Sequence, residues 1–307
     1  MGVIKYLYRK TFLRKYLKPF KFIYDFFLYR IIPEKVFINM TYKEVFGSYP
    51  NLKNPKTLNE KVQWLKLYDR TTLHTKCADK FLSREHIKKR IGKQYLVPLV
   101  FKTKDISKIV SENLPDYPSV VKTTHGQGVV HIIKDKFNID YELIHQDLRK
   151  SLRENYYYKS KEWQYKNIIP RIIVEKLLIC KNGKMPNDYK FHCFNGRVHI
   201  VYVSVDREGL NKRNIYDRDW NPLLFTWAKK FKDTSNIRGE EIDPPDNYEE
   251  MLIIAEKLSQ DFRYVRIDLF NVDGNIFCGE ITFHHGSGLD VFNPPEWDRK
   301  LGDILNL

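Results

Sequence analysis

Apolar and polar positions alternate along this chain with two different periods, and the changes of period mark its elements. Two-residue alternation, or short apolar runs bounded by turn residues, predicts strands near 96–101, 119–124, 129–133, 171–180, 188–194, 197–205, 263–271 and 276–282. Spacing of 3.6 residues predicts helices near 138–154 and 247–260, and a third over 76–91 that stops at Gly92. Asn54-Pro55-Lys56-Thr57 punctuates the chain ahead of these, and Thr57 followed by Glu60 forms a capping box that opens a helix through Asp69. Asn195-Gly196 and Asp273-Gly274 each sit between apolar runs, the pattern of a two-residue hairpin. Strands arriving as hairpins among helices give an α+β class with largely antiparallel sheets.

Composition narrows the partners. The 307 residues are 42% hydrophobic, enough for a sizeable core. Lys and Arg outnumber Asp and Glu by 53 to 38, a net charge of +15, so the expected partner is anionic: nucleotide, nucleic acid, anionic lipid or acidic polysaccharide. No RRM, KH or helix-turn-helix signature is present, and the basic residues concentrate at one terminus, so nucleic acid is not expected. Cys77, Cys180, Cys193 and Cys278 form no C-x-x-C pair and no zinc spacing, which argues against disulfides and structural zinc and fits a reducing cytoplasm. The sequence shows neither a spanning apolar run nor a signal-peptide cleavage site.

Residues 1–35 carry nine basic side chains against two acids, interleaved with aromatic rings. Such a segment reads either as an in-plane anchor at the anionic inner face of the plasma membrane or as a basic amphipathic helix docked on its own domain.

The chemistry concentrates in three places. The Asp273-Gly274 turn folds Asp268 back to within one residue of facing Glu280; two acids opposed in an apolar hairpin call for a shared cation, and carboxylates with open positions suit Mg²⁺ or Mn²⁺ together with substrate phosphates. A solvated acidic hairpin tip is the plain alternative. In Tyr117-Pro118-Ser119-Val120-Val121-Lys122-Thr123-Thr124-His125-Gly126-Gln127-Gly128, a strand delivers Lys122 to a loop of small residues, where His125, Gly126, Gln127 and Gly128 could cradle phosphate, although the spacing is not that of a P-loop and an ordinary turn reads the same way. The third place is Ile172-Ile173-Val174-Glu175-Lys176-Leu177-Leu178, a strand whose polar end can present backbone groups to a base.

Taken in order, these pieces resemble the ATP-grasp superfamily of carboxylate–amine ligases. Ala78-Asp79-Lys80 resembles the family's first lysine position, Lys122 the second, Glu175-Lys176-Leu177-Leu178 the adenine-reading hinge, and Arg266, Asp268 and Glu280 the closing metal hairpin. Thr282 stands where the family usually has a metal-binding Asn. Asn54-Pro55-Lys56-Thr57-Leu58-Asn59-Glu60-Lys61, Asp188-Tyr189-Lys190-Phe191, Arg213-Asn214-Ile215-Tyr216-Asp217 and Asn293-Pro294-Pro295-Glu296-Trp297-Asp298 look like the TupA-like, teichuronopeptide-biosynthesis branch.

The resemblance implies an ATP-grasp fold in which two α+β subdomains grip ATP between antiparallel sheets. It divides the chain into a basic helical region (1–50), a helical segment (51–115), a small lid subdomain (116–175) and a C-terminal subdomain (176–307). It implies ATP and Mg²⁺ (or Mn²⁺) as cofactors. Lys80, Lys122, His125, Gly126, Gln127, Gly128, Glu175, Lys176 and Leu178 would hold the nucleotide, with Lys190 as a catalytic support to the two lysines from the neighbouring strand, Asp268, Glu280 and Thr282 the metal, and Arg266 the transferred phosphate. The partners implied are an amino acid or peptide and a uronic acid of a cell-surface polysaccharide. Arg213, His284 and His285 are candidates for the acceptor, the histidine pair binding an acidic sugar, or taking the amine proton, or simply lying exposed in a loop. A polysaccharide glycosyltransferase is the alternative, resting on Asp217-Arg218-Asp219 as a D-x-D metal motif.

Overall fold

Two antiparallel sheets meet across a cleft, and every strand of both was predicted except one at an edge. The computed structural model describes residues 23–126, 128–205, 212–228 and 238–307, so Gln127 and most of the basic, aromatic 1–35 segment lie outside the described residues. Helices α1 (Glu34–Phe46), α2 (Leu58–Tyr68), α3 (Thr72–Ala78) and α4 (Ser83–Arg90) come first. The smaller sheet then assembles from β1 (Leu99–Thr103), β2 (Ser119–Thr123), β3 (Val130–Ile133) and, after helices α5 (Tyr141–Arg153) and α6 (Tyr156–Ser160), β4 (Ile172–Lys176), in the order β1-β4-β2-β3. The larger sheet contains β5 (Asp188–Phe194), β6 (Arg197–Val205), β7 (Lys212–Asp217) and, beyond the short β8 (Thr226–Ala228) and helix α7 (Tyr248–Ser259), β9 (Tyr264–Val272) and β10 (Asn275–Thr282). Its order is β10-β9-β5-β6-β7. β11 (Val291–Asn293) pairs with β8, and α8 (Glu296–Ile304) closes the chain.

The larger sheet has two unlike faces because its side chains alternate. Phe191, Cys193, Val201, Val203, Val265, Ile267, Leu269 and Ile281 turn to one side and pack with Met251, Leu252, Ala255 and Leu258 of α7 in the main core. The other face carries Lys190, Asp268, Glu280 and Arg266. The smaller sheet has a core of its own, where Val121, Ile172 and Val174 meet Ile144 and Leu148 of α5.

Both hairpin turns form as their sequences dictate. Asn195 and Gly196 sit at φ 49° and 83°, and Asp273 and Gly274 at 50° and 88°, the paired positive φ values of a two-residue turn that matches strand twist. The capping box also forms: the Thr57 hydroxyl accepts from the Glu60 N–H at 3.2 Å, and the Glu60 carboxylate accepts from the Thr57 N–H at 3.2 Å.

Two of the boundaries that differ from the sequence reading bear on the site. The strand foreseen over 171–180 ends at Lys176. The helix foreseen over 76–91 breaks at Asp79, which is fully buried. Its carboxylate accepts from the N–H groups of Phe81 (2.9 Å) and Leu82 (3.3 Å) and pairs with Arg171 at 2.8 Å. An aspartate that bonds nearby N–H groups competes with the helix, and here tertiary pairing with Arg171 adds to that competition. The break turns Lys80 out of the helical path, and its N–H docks on the Thr124 carbonyl at 3.1 Å.

Candidate active site

The polar face of the larger sheet owes its geometry to one irregularity. Regular pairing from the Asp273-Gly274 turn would set Asp268 opposite Gly279. The register instead shifts between Cys278 and Glu280, so that Glu280 faces Asp268 directly, and Lys190 faces Asp268 from the other side. A β-bulge of this kind re-aims a side chain. Lys190, Asp268 and Glu280 therefore form a row across three strands, with His192, Arg266 and Thr282 in the next row. Gly279 allows the arrangement, since a Cβ there would lie 2.6 Å from Cε2 of Phe270.

Cations answer each acid. Arg266 grips Asp268 with a fork, Nε to Oδ1 at 2.6 Å and Nη2 to Oδ2 at 2.7 Å, and Nη2 also donates to Thr282 Oγ1 at 3.2 Å. Lys80 Nζ reaches Glu280 Oε1 at 2.8 Å and the Gly126 carbonyl at 2.9 Å. Across the cleft, Glu175 is held between Lys122 at 2.7 Å and Arg84 at 3.0 Å. Lys190 pairs with Asp188. Five cations thus face four carboxylates, an excess suited to a polyanion.

Burial and these neighbours set the acids apart. Burial raises the Glu280 pKa, but Lys80 and Arg266 together outweigh it and bring the carboxyl down to about 2. Burial holds Asp268 above the ordinary aspartate range, against the pull of Arg266 and Lys190. Among the described residues, no group of three or more His, Cys, Asp or Glu side chains could hold a metal alone. Two opposed carboxylates beside a cationic cleft are nonetheless the donor set that suits Mg²⁺ shared with a nucleotide.

The cleft between the sheets has a volume of about 270 Å³. Lys80, Lys122, Glu175, Asp188, Asp268 and Glu280 line it, with Val120, Ile132, Leu178 and Phe270 as its apolar walls. The N–H groups of Lys176 and Leu177 bond to the carbonyls of Pro98 and Pro118, both at 2.9 Å, whereas those of Leu178 and Ile179, just beyond the strand, have no backbone partner among the described residues. A second cavity of about 530 Å³ continues from Lys80 and Glu280 past Lys190 and Arg266 to Tyr202, Arg213 and His285.

His285 has a defined protonation state. Arg266 Nη1 lies 2.6 Å from its Nδ1, and an arginine can only donate, so the ring proton rests on Nε2, which faces Asp290 Oδ2 at 3.3 Å. Burial, then the charge of Arg266, keeps the ring pKa well below the usual histidine value. A backbone prop holds this residue in place. Gly286 and Ser287 have φ of 56° and 60°, and Gln63 of α2 donates to the carbonyls of Ser287 (2.9 Å) and Gly288 (2.6 Å) while Lys66 bonds Ser287 Oγ at 3.0 Å. Lys66 is itself buried, which brings its pKa down to about 8 against the pull of Glu162.

Of the remaining sequence candidates, Lys176 lines the cleft and Gly128 the second cavity, and the others fall elsewhere. His284 turns away from the cavity into a buried cluster, its Nδ1 3.8 Å from Glu162. His125 is buried and its Nε2 bonds the Ser151 carbonyl at 3.0 Å, which ties the small-residue loop to α5. Gly128 has φ 115°, a conformation that favours glycine. Asp217 of the D-x-D triplet accepts from the N–H groups of Asp219 (2.9 Å) and Asn221 (2.8 Å), a turn cap at the end of β7. Sequence reasoning gave no role to Asp188, Arg84 or Asp290. The alternation Asp188-Tyr189-Lys190 carried a signal for the first of them; the other two come from distant segments that only the fold brings in.

A family profile for TupA-like ATPgrasp proteins matches residues 60–306. No curated protein matches the chain. Among solved structures, D-alanine–D-alanine ligase from Bacillus anthracis is 17% identical with a TM-score of 0.40, the alignment covering 74% of this chain and 63% of that one. The corresponding ligase from Helicobacter pylori is 18% identical with a TM-score of 0.41, covering 81% and 69%. L-amino acid ligase from Bacillus licheniformis is 13% identical with a TM-score of 0.43, covering 84% and 57%. The chain thus spans less than two thirds of the length of some of these proteins.

Proposed function

The chain belongs to the TupA-like ATP-grasp family, and from that premise we propose that it is an ATP-dependent carboxylate–amine ligase whose acceptor is a uronic acid of a surface polysaccharide and whose amine comes from an amino acid or peptide. The observation that carries this reading is the row Lys190–Asp268–Glu280, faced across one cleft by Lys80 and Lys122.

An oxygen of the acceptor carboxylate attacks the γ-phosphorus of ATP, the bond to the β-phosphate oxygen breaks, and ADP leaves an acyl phosphate. The amine then attacks the acyl carbon, loses a proton and expels inorganic phosphate. Such transfers depend mainly on positioning and on neutralising charge. Asp268 and Glu280 would hold Mg²⁺, which when bound neutralises phosphate oxygens. Lys80 and Lys122 exchange their present carboxylate partners for α- and β-phosphate oxygens, and Lys190 supports them from β5. The apolar walls and the Leu178 amide suit an adenine ring. Arg266 lies one row beyond the acids and stabilises the charge that develops on the transferred group and on the tetrahedral carbon. His285, whose Nδ1 accepts from Arg266, orients that guanidinium and is not a proton acceptor while the bond stands.

The test is ADP release by purified protein with Mg²⁺, screened over uronic acids paired with amino acids, with mass spectrometry of the product. Release that needs both partners, and an amide of the combined mass less water, is the expected result. ATP consumption indifferent to every acid and amine would contradict it. The membrane-anchor reading of residues 1–35 is a further proposal, and it predicts that removing residues 1–22 weakens sedimentation with anionic vesicles. No described helix is long and apolar enough to cross a membrane.

A further inference from the structure

Two cations hold Glu175, each on an oxygen of its own. Lys122 of β2 reaches Oε2 at 2.7 Å, and Arg84 of α4 reaches Oε1 at 3.0 Å. The carboxylate side chain is 6% exposed and each cation 16%, so the whole triad is largely removed from water. The two cations differ in position. Lys122 and Glu175 line the cleft between the sheets, whereas Arg84 comes from the helical segment and is not part of the cleft wall.

A phosphate entering the cleft therefore competes for only one of them. When Lys122 turns to a phosphate oxygen, Glu175 stays in the wall and loses that partner. Nearby cations are engaged elsewhere: Lys80 bonds Glu280 and the Gly126 carbonyl, Arg171 pairs with Asp79, and Lys176 Nζ lies over the Tyr117 ring. Among the described residues, Arg84 is the cation that remains paired with Glu175. Removing one partner of a buried ion pair is costly because the other charge is left unanswered.

We infer that Arg84 is a positioning residue for nucleotide binding, which by holding Glu175 frees Lys122 to leave that carboxylate for the phosphates of ATP. The inference rests on the nucleotide-binding part of the ligase reading. Arg84 touches no substrate in this scheme and acts through Glu175. Without it, Glu175 and Lys122 become a closed pair, and a phosphate takes the lysine only by leaving a buried carboxylate unpaired. A ligand without phosphate makes no such demand.

The test is calorimetric binding of ATP with Mg²⁺, and of adenosine, to the full chain and to Arg84→Gln. The variant is expected to bind ATP about 10-fold or more weakly, the effect of one unpaired buried charge, and to keep the parental affinity for adenosine. In a Glu175→Gln background there is no carboxylate to strand, so adding Arg84→Gln should change ATP affinity by less than about twofold. Parental ATP affinity in Arg84→Gln would overturn the inference. So would an equal loss for ATP and adenosine, or a loss that persists in the Glu175→Gln background, because a merely distorted strand end produces both. A crystal structure of the parent with ADP and Mg²⁺ needs no variant to fold: Lys122 on phosphate with Arg84 still on Glu175 is expected, and Lys122 still bonded to Glu175 would overturn the inference. A parent chain that binds ATP no more tightly than adenosine would overturn the nucleotide reading itself, and the role of Arg84 with it.

Discussion

Arg266 makes contacts that no other cation could make together. Its fork takes both oxygens of Asp268, and a further nitrogen reaches His285. A lysine ammonium is a point charge and cannot reproduce a planar bidentate grip. We expect Arg266→Lys to lower the steady-state rate of ADP release by about 100-fold, as loss of one preorganised donor does; a rate within about threefold of the parent would mean that the residue serves only as an ion-pair partner. From the sequence, Arg266 reads equally as a catalytic group and as a structural partner of Asp268, and the geometry contains that ion pair and also points the guanidinium into the cavity. The fate of the histidine pair could not be read beforehand. His284 and His285 are adjacent, so which of them faces the cavity depends on the strained turn at Gly286 and Ser287 and on its props from Gln63 and Lys66, more than 200 residues earlier in the chain.

At the scale of elements, the β9–β10 hairpin was legible because its turn is local: Asp273-Gly274 alone sets the type and the pairing next to it. The shift that sets Glu280 opposite Asp268 was not, because it depends on how Gly279 fits under the Phe270 ring. Gly279→Ala places a methyl group against that ring, and overpacking of this kind costs about 1–3 kcal/mol. Chemical denaturation should show that loss, and combining it with Phe270→Leu should recover part of it, since the shorter side chain lacks the clashing atom. Strict additivity of the two changes would show that the ring does not hold the bulge. The Lys80 turn teaches a similar point. A 3.6-residue pattern runs through Asp79, and the break comes from its pairing with Arg171, which follows 92 residues later.

For the whole molecule, seven of the nine histidines (His74, His86, His125, His192, His199, His284 and His285) have pKa values lowered first by burial. The unfolded chain binds protons at these rings near pH 6.5, whereas the folded chain does not, so stability falls as pH drops below about 6.5 and is recovered above it. The loss is greatest for the three held well below the ordinary value, His192, His284 and His285. The melting temperature should therefore drop between pH 7 and pH 5, and a flat profile would show that these rings are protonated in the fold. The α+β class and the cationic excess were visible in the pattern and charge of the sequence; the facing of Lys80 and Lys122 toward the acid row was not, because it needs two separate sheets brought to one cleft. The account as a whole turns on nucleotide and metal meeting at Asp268 and Glu280. Calorimetric titration of ATP, with Mg²⁺ and with a chelator, into the parent and into a folded Asp268→Asn, Glu280→Gln double variant measures this directly. Tight binding that requires Mg²⁺ in the parent and loses that requirement in the variant is the expected result, and a variant with the parental dependence on Mg²⁺ would contradict it.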